Sequence, residues 1–274
     1  MTCRCPTSRF NGPGLAVLAL AADRSVTPLT AAFAPMRETS MPTPTVESLS
    51  RPLPHHVAVI GAAGGLGQGI LSVCRAEGIG FTAVVRSRPE RITDLPGGSR
   101  VAVVQSLADG AALADAFSGA DAVLTALGVT ATTHERPALL SANMAAVEES
   151  MLGASVDRII VINTLLTSQP GQPASRAMRF FMCLPGTMGR GAREQQAVID
   201  ALGNGAFSSL RWTLVRAGLN SRGKDERPVA SRDWDGALNS WSPVSYGAMG
   251  RWMLEEAAAN EFVHAAPLVS RRRR

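Results

Sequence analysis

Val57-Ala58-Val59-Ile60-Gly61-Ala62-Ala63-Gly64-Gly65-Leu66-Gly67 is the stretch whose reading decides the fold. Val57 to Ile60 is a short apolar run, three of its four residues β-branched in the way of a buried parallel strand. Glycines follow at Gly61, Gly64 and Gly67, and Ile70, Leu71, Val73 and Cys74 then take up helical spacing. Strand, glycine turn and helix in that order present unpaired backbone N–H groups and the positive end of a helix dipole to a pyrophosphate. Side chains at those glycines would block close approach of the backbone. A glycine triplet alone also fits an ordinary tight turn; the flanking strand and helix are what favour a dinucleotide site.

Working outward, Gly78-Ile79-Gly80 ends the first helix and Phe81 to Val85 reads as a second strand. Arg100 to Val104 supplies a third, after the Pro96-Gly97-Gly98 turn. Leu107 to Phe117 is expected to be a short helix and Ala122 to Ala126 a fourth strand. Pro137 to Leu152 is expected to form a longer helix, with Leu140, Met144, Val147 and Met151 on one face. Arg158 to Ile162 reads as a fifth strand, Ala192 to Leu202 as a helix, and Trp212 to Val215 as a sixth strand. Phe262 to Val269, interrupted by Pro267, is expected at a sheet edge. Gln169 to Gly191 and Asn220 to Ser242 read as loops that close over the site. Alternating strands and helices predict an α/β fold: a doubly wound parallel sheet with right-handed crossovers, in a single domain.

Composition narrows the function. The 274 residues suit one domain with a full core. No apolar run approaches the roughly 18 residues of a membrane span, so no membrane role is expected. Arg271 to Arg274 account for four of the five net positive charges, which argues against a nucleic-acid surface and makes 271–274 a basic tail. Cys3, Cys5, Cys74 and Cys183 make no disulfide framework, and with His55, His56, His134 and His264 they form no metal-ligand pattern. Residues 1–52 are rich in Pro, Thr, Ser and Ala without periodicity. They read as a disordered leader or an overlong gene start with Met41 as initiator. A cytoplasmic location is expected; a mitochondrial one through the leader is the alternative. The domain proper is expected over 53–270.

The end of the second strand bears on the cofactor. NAD sites place a carboxylate there for the ribose 2′-OH. This chain has Arg86-Ser87-Arg88, about 20 to 25 residues past the glycine turn. Two guanidinium forks around a hydroxyl suit a 2′-phosphate, so NADP(H) is expected over NAD(H), against the alternative of a solvated loop.

The G-x-x-G-x-x-G spacing resembles the short-chain dehydrogenase/reductase superfamily. Within it, the chain looks like the atypical branch with NmrA-like NAD(P)H-binding domains, which includes biliverdin-IXβ/flavin reductase. The resemblance covers about residues 55 to 270 and implies a Rossmann-like NAD(P)-binding domain. Ser118-Gly119-Ala120-Asp121-Ala122-Val123 matches the family's passage into its fourth strand, and Gly153 to Ile160 its entry to the fifth. Arg211-Trp212-Thr213-Leu214-Val215-Arg216-Ala217-Gly218 resembles the strand-six signature, with Ala217 where a proline is usual. By this likeness the cofactor contacts are Gly61, Ala63, Gly64, Gly65, Leu66 and Gly67, then Arg86, Ser87 and Arg88. Ser106 and Leu107 follow at the adenine, where the family often has an acidic residue. Ala126, Leu127 and Gly128 after the fourth strand, Asn163 after the fifth and Ala217 after the sixth complete the set.

Most short-chain dehydrogenases use a Tyr-x-x-x-Lys pair. The only tyrosine here is Tyr246 and the only lysine Lys224, in the wrong order and too far apart. Where the family's catalytic serine falls stand Asn163 and Thr164. Two roles follow. One is an NADP(H)-dependent oxidoreductase passing hydride to a small, activated organic acceptor, with Thr164, His134 and Tyr246 as candidate proton donors. Each of the three has the plainer alternative of pocket lining or surface. The other role is a non-catalytic NAD(P)-binding redox sensor, as among NmrA-like regulators. A structural subunit that retains the fold is a third class. Oligomeric state stays open.

Overall fold

In a computed structural model of the full chain, described over residues 52–127, 140–232, 238–239 and 243–272, the alternation runs as the sequence predicts. The elements are β1 (His56–Ile60), α1 (Gly65–Glu77), β2 (Gly80–Val85), β3 (Arg100–Val103), α2 (Gly110–Phe117), β4 (Ala122–Thr125) and α3 (Met144–Gly153). After these come β5 (Arg158–Thr164), α4 (Arg176–Cys183), α5 (Gly186–Gly203), β6 (Arg211–Ala217) and β7 (Leu219–Lys224). The last are β8 (Val229–Ser231), β9 (Leu238–Asn239), α6 (Tyr246–Ala259) and β10 (Leu268–Arg272). Residues 49–274 form one compact unit, and the expected leader, 1–52, lies outside the described residues except for Pro52.

The sheet order is β3-β2-β1-β4-β5-β6-β10-β8, with β9 also paired to β10. Strands β1 to β6 and β10 run parallel; β8 and β9 are antiparallel to β10. Order reverses between β1 and β4, and such a switch point leaves a crevice at the carboxyl ends of the strands. Both faces of the sheet are covered. Val57, Val59, Phe81 and Leu124 pack under α1 and α6, against Ile70, Leu71, Met249 and Met253. Ala58, Ile60, Val123 and Ile159 point the other way, against Leu113, Val147, Met151 and Ile199. Strand side chains alternate between faces, so a strand buried on both reads as an unbroken apolar run.

Several sequence expectations are corrected. Helix α2 begins at Gly110 rather than Leu107, because the Asp109 carboxylate accepts the Ala112 N–H at 3.1 Å and caps it there. Helix α3 starts at Met144, behind a 3₁₀ turn at Ser141–Asn143, although Leu140, Met144, Val147 and Met151 are all buried as expected. Helix α5 begins at Gly186, not Ala192: the glycines of Gly186-Thr187-Met188-Gly189 hide it from propensity, and tertiary packing overrides them. The two expected loops contain α4 and β7 to β9, and Cys183 is the last residue of α4. The last strand is not an edge. It runs Leu268–Arg272 between β6 and β8, and Pro267 precedes it, its carbonyl accepting the Arg216 N–H at 2.9 Å. Arg271 and Arg272 therefore belong to the sheet rather than to a tail, and Arg271 pairs with Glu226 at 2.9 Å.

Arg158, at the amino end of β5, has the largest fully buried side chain. Its Nη2 lies 2.8 Å from Glu256 Oε1 of α6, the side chains 0% and 2% exposed. It also donates to the Arg211 carbonyl at 2.7 Å and to the Thr213 hydroxyl at 2.9 Å, while Glu256 accepts the Phe262 N–H at 2.8 Å. Burial lowers the Arg158 guanidinium to about 10, against the opposing pull of Glu256, so it stays cationic at neutral pH. Glu256→Ala leaves that charge without its partner and is expected to cost about 3 to 5 kcal/mol in urea unfolding. The paired change Arg158→Met with Glu256→Leu should cost far less; equal losses would show that packing, not charge, holds α6 here.

Candidate functional site

The β1–α1 turn sits at the switch point. Gly61 has φ +83° and donates its N–H to the Val84 carbonyl at 3.0 Å. A Cβ on it would stand 3.1 Å from the Ala126 backbone, a tight contact on top of a left-handed conformation, and it is the conformation that requires glycine. The Gly64 N–H closes the turn onto the Gly61 carbonyl at 2.9 Å, and Gln68 N–H bonds the Gly64 carbonyl at 2.9 Å. The N–H groups of Gly65, Leu66 and Gly67 then have no backbone acceptor among the described residues. No acidic residue lies in the first turn of α1. Three free donors at the positive end of a helix form an anion-binding surface.

The glycines divide the work. Gly64 is exposed, with ordinary extended backbone (φ −78°, ψ 172°), so it is not there for its conformation. Gly67 is buried: a Cβ would come within 2.4 Å of the Gly61 carbonyl oxygen, which makes it a packing residue joining helix to strand. Gly65 faces α6, where its Cβ would meet the Tyr246 ring at 2.6 Å. Ala63 is half-buried and Leu66 buried in the core.

At the end of β2, Arg86, Ser87 and Arg88 are exposed. Neither guanidinium forms an ion pair or hydrogen bond with a described residue. Arg88 takes a left-handed conformation (φ +61°) and begins a 3₁₀ turn, Pro89–Arg91. Beyond β3, the Ser106 hydroxyl accepts the Ala108 N–H at 3.1 Å, and Leu107 packs against the core under α2. Ala126 follows β4 with its N–H on the Ile60 carbonyl at 2.8 Å, and Leu127 is half-buried beside it. Gly128 and His134 lie outside the described residues.

The carboxyl ends of β5 and β6 form the far side. Asn163 is 3% exposed; its amide donates to the Gln195 carbonyl of α5 at 3.1 Å, and its Oδ1 accepts the Thr164 N–H at 2.7 Å. Gln195 Oε1 shares that N–H at 3.0 Å. The Asn163 side chain is thereby committed to α5. Thr164 is half-buried, and its hydroxyl donates to no described residue. Ala217 pairs with Thr164 in register, and its carbonyl accepts the Leu165 N–H at 3.2 Å. The neighbouring Arg216 is buried and donates to the Ala266 and Thr167 carbonyls at 2.8 and 3.1 Å. Burial pushes the Cys74 thiol up to about 12, so it supplies no nucleophile.

The structure thus brings the glycine turn, Ala126 and Leu127, Asn163 and Thr164, and Ala217 to one edge, with Arg86 to Arg88 at the end of the neighbouring β2. Tyr246 joins them at the glycine turn. Gln195 was missed by sequence reasoning: a glutamine on a helix carries no local signal of the strand end it bonds.

The sequence signature of the NAD(P)H-binding family matches residues 61–267. No curated protein matches the chain. Among solved structures, a Rossmann-fold NAD(P)-binding family protein from Shigella flexneri is 17% identical, with 79% of this chain and 93% of that one covered and a TM-score of 0.53. A short-chain dehydrogenase/reductase from Veillonella parvula in complex with NADP is 17% identical, covering 80% and 95%, at 0.56. A Streptococcus pneumoniae protein described as an NADH-flavin reductase is 18% identical, covering 79% and 99%, at 0.58. These likenesses establish a shared α/β architecture. The signature itself runs from the first glycine of the turn to the residue before the last strand, well over half the chain, and so this protein belongs to the NAD(P)H-binding family.

Proposed function

We propose that the protein is an NADP(H)-dependent oxidoreductase of the atypical short-chain dehydrogenase type, reducing a small organic acceptor without a Tyr-Lys pair. The observation that carries this reading is the pairing of three N–H groups at the start of α1 with two arginines at the end of β2, none of them partnered among the described residues. The turn holds phosphates, and Arg86 and Arg88 hold a 2′-phosphate. When bound, a reduced nicotinamide supplies the hydride. Asn163 and Thr164, fixed by Gln195, give that end of the site a rigid wall, and the Thr164 hydroxyl, whose proton has no acceptor among the described residues, is a weak proton donor. Such a site favours acceptors that need little acid assistance, so catalysis rests on positioning. A cytoplasmic setting, where NADP(H) is available, fits this activity.

One observation favours the second reading, a non-catalytic redox sensor. Asn163, Thr164 and Ala217, which end β5 and β6, include no titratable side chain. Purified protein with NADPH, screened against quinones, flavins, enones and unactivated ketones, separates the two. Steady oxidation with the first three and none with ketones supports the reductase. Tight binding without turnover on any acceptor transfers the assignment to the sensor.

A further inference from the structure

Tyr246, the chain's one tyrosine, stands at the first position of α6 and against the first turn of α1. Three glycines bring the two helices flush. A Cβ on Gly65 would meet the Tyr246 ring at Cε2 (2.6 Å), Cζ (3.1 Å) and Cδ2 (3.2 Å). One on Gly69 would lie 2.6 Å from the Tyr246 carbonyl oxygen, and one on Gly250 would lie 2.9 Å from Ile70 Cα. Arg251 of α6 pairs with Glu77 in the last turn of α1, so the helices start together and run in the same sense.

This seam explains why a flat ring lies beside Gly65, but not why the ring carries a hydroxyl. Tyr246 is half-buried, and its Oη has no hydrogen-bond partner among the described residues. Oη is one bond from Cζ, and Cζ already touches the space beside Gly65. It is therefore a donor held beside Gly65, in the first turn of α1, where the Gly65, Leu66 and Gly67 N–H groups have no backbone acceptor among the described residues. The start of α6 does not compete for the same ligand in full, because the Ser245 hydroxyl accepts the Ala248 N–H at 3.0 Å and caps it. A phenol donor without an acceptor among the described residues, beside the positive end of a helix, is complementary to an anion.

We propose that Tyr246 is a pyrophosphate-binding residue, its hydroxyl donating to a phosphate oxygen of the dinucleotide, and not a proton donor to substrate. The assignment rests on the dinucleotide site proposed above. Tyr246→Phe keeps the ring against Gly65 and removes only the hydroxyl, so the fold is retained. Full-length wild type and variant are titrated calorimetrically with NADPH, NADH and adenosine 2′-monophosphate, which has the 2′-phosphate but no pyrophosphate. Loss of a hydrogen bond to a charged acceptor is expected to weaken both dinucleotides by about tenfold or more, and equally. Affinity for adenosine 2′-monophosphate and the NADPH-to-NADH ratio stay unchanged. Equal affinities of wild type and Tyr246→Phe for NADPH would overturn the role of Tyr246 and leave the site standing. Equal weakening of adenosine 2′-monophosphate would overturn it too, by showing that the effect is not at the pyrophosphate. Failure of the wild type to bind either dinucleotide would overturn the site and this assignment together.

Discussion

Gly64→Val is expected to abolish dinucleotide binding, by about a hundredfold or more in affinity (about 2.8 kcal/mol), in a domain that stays folded. The backbone at Gly64 is extended, a region that β-branched residues favour, so valine meets no conformational penalty there. Its Cβ would lie 3.2 Å from the Gly61 carbonyl oxygen and 3.8 Å from that of Ala126, a fit needing only a few tenths of an ångström of give. The branched methyls then occupy the crevice between β1 and β4, where a phosphate must approach. Gly67→Ala makes the contrast. Its Cβ would come within 2.4 Å of the Gly61 carbonyl oxygen and 2.6 Å of Ala62 Cα, both backbone atoms of the turn. That overpacking is expected to lower stability by about 1 to 3 kcal/mol, with binding lost only as the turn distorts. Circular dichroism, thermal melting and calorimetric titration read both variants. Unchanged NADPH affinity in Gly64→Val would remove the proposed site from the glycine turn.

Wild type is expected to prefer NADPH to NADH by about ten- to a thousandfold, through Arg86 and Arg88. A charge-assisted hydrogen bond contributes roughly 1.5 to 3 kcal/mol, and each 1.4 kcal/mol is about tenfold. Both side chains are exposed, so salt screening weakens each contact, and the preference should fall as ionic strength rises. Since neither guanidinium is held by another described residue, replacing both with alanine disturbs no internal pair. The double variant should lose most of the preference while binding NADH as before, because NAD lacks the 2′-phosphate. Equal affinity of the wild type for NADH and NADPH would reduce the pair to a solvated loop.

The strength of local patterning decided what could be read from the chain. The β1 strand, the glycine turn and α1 are adjacent in sequence, and each has its own signal: an apolar run, residues without Cβ, and helical spacing. The doubly wound sheet follows from repetition of that unit, and the absence of a Tyr-Lys pair follows from counting two residues. Arg86 to Arg88 are legible because they trail a strand at a fixed distance from the turn. By itself, then, the sequence determined the architecture and the place of the glycine turn at one end of the sheet, and it showed that no Tyr-Lys pair is present. The tertiary structure decided everything that joins distant segments. It set the packing of Gly65 and Gly69 against Tyr246, the buried pair Arg158–Glu256, the hold of Gln195 on Asn163 and Thr164, and the place of β10 inside the sheet. The reason is physical: periodicity records which face of an element is buried, but it carries no record of what lies across the interface. A glycine needed for a phosphate and a glycine needed for a neighbouring helix are the same letter until the neighbour is in place.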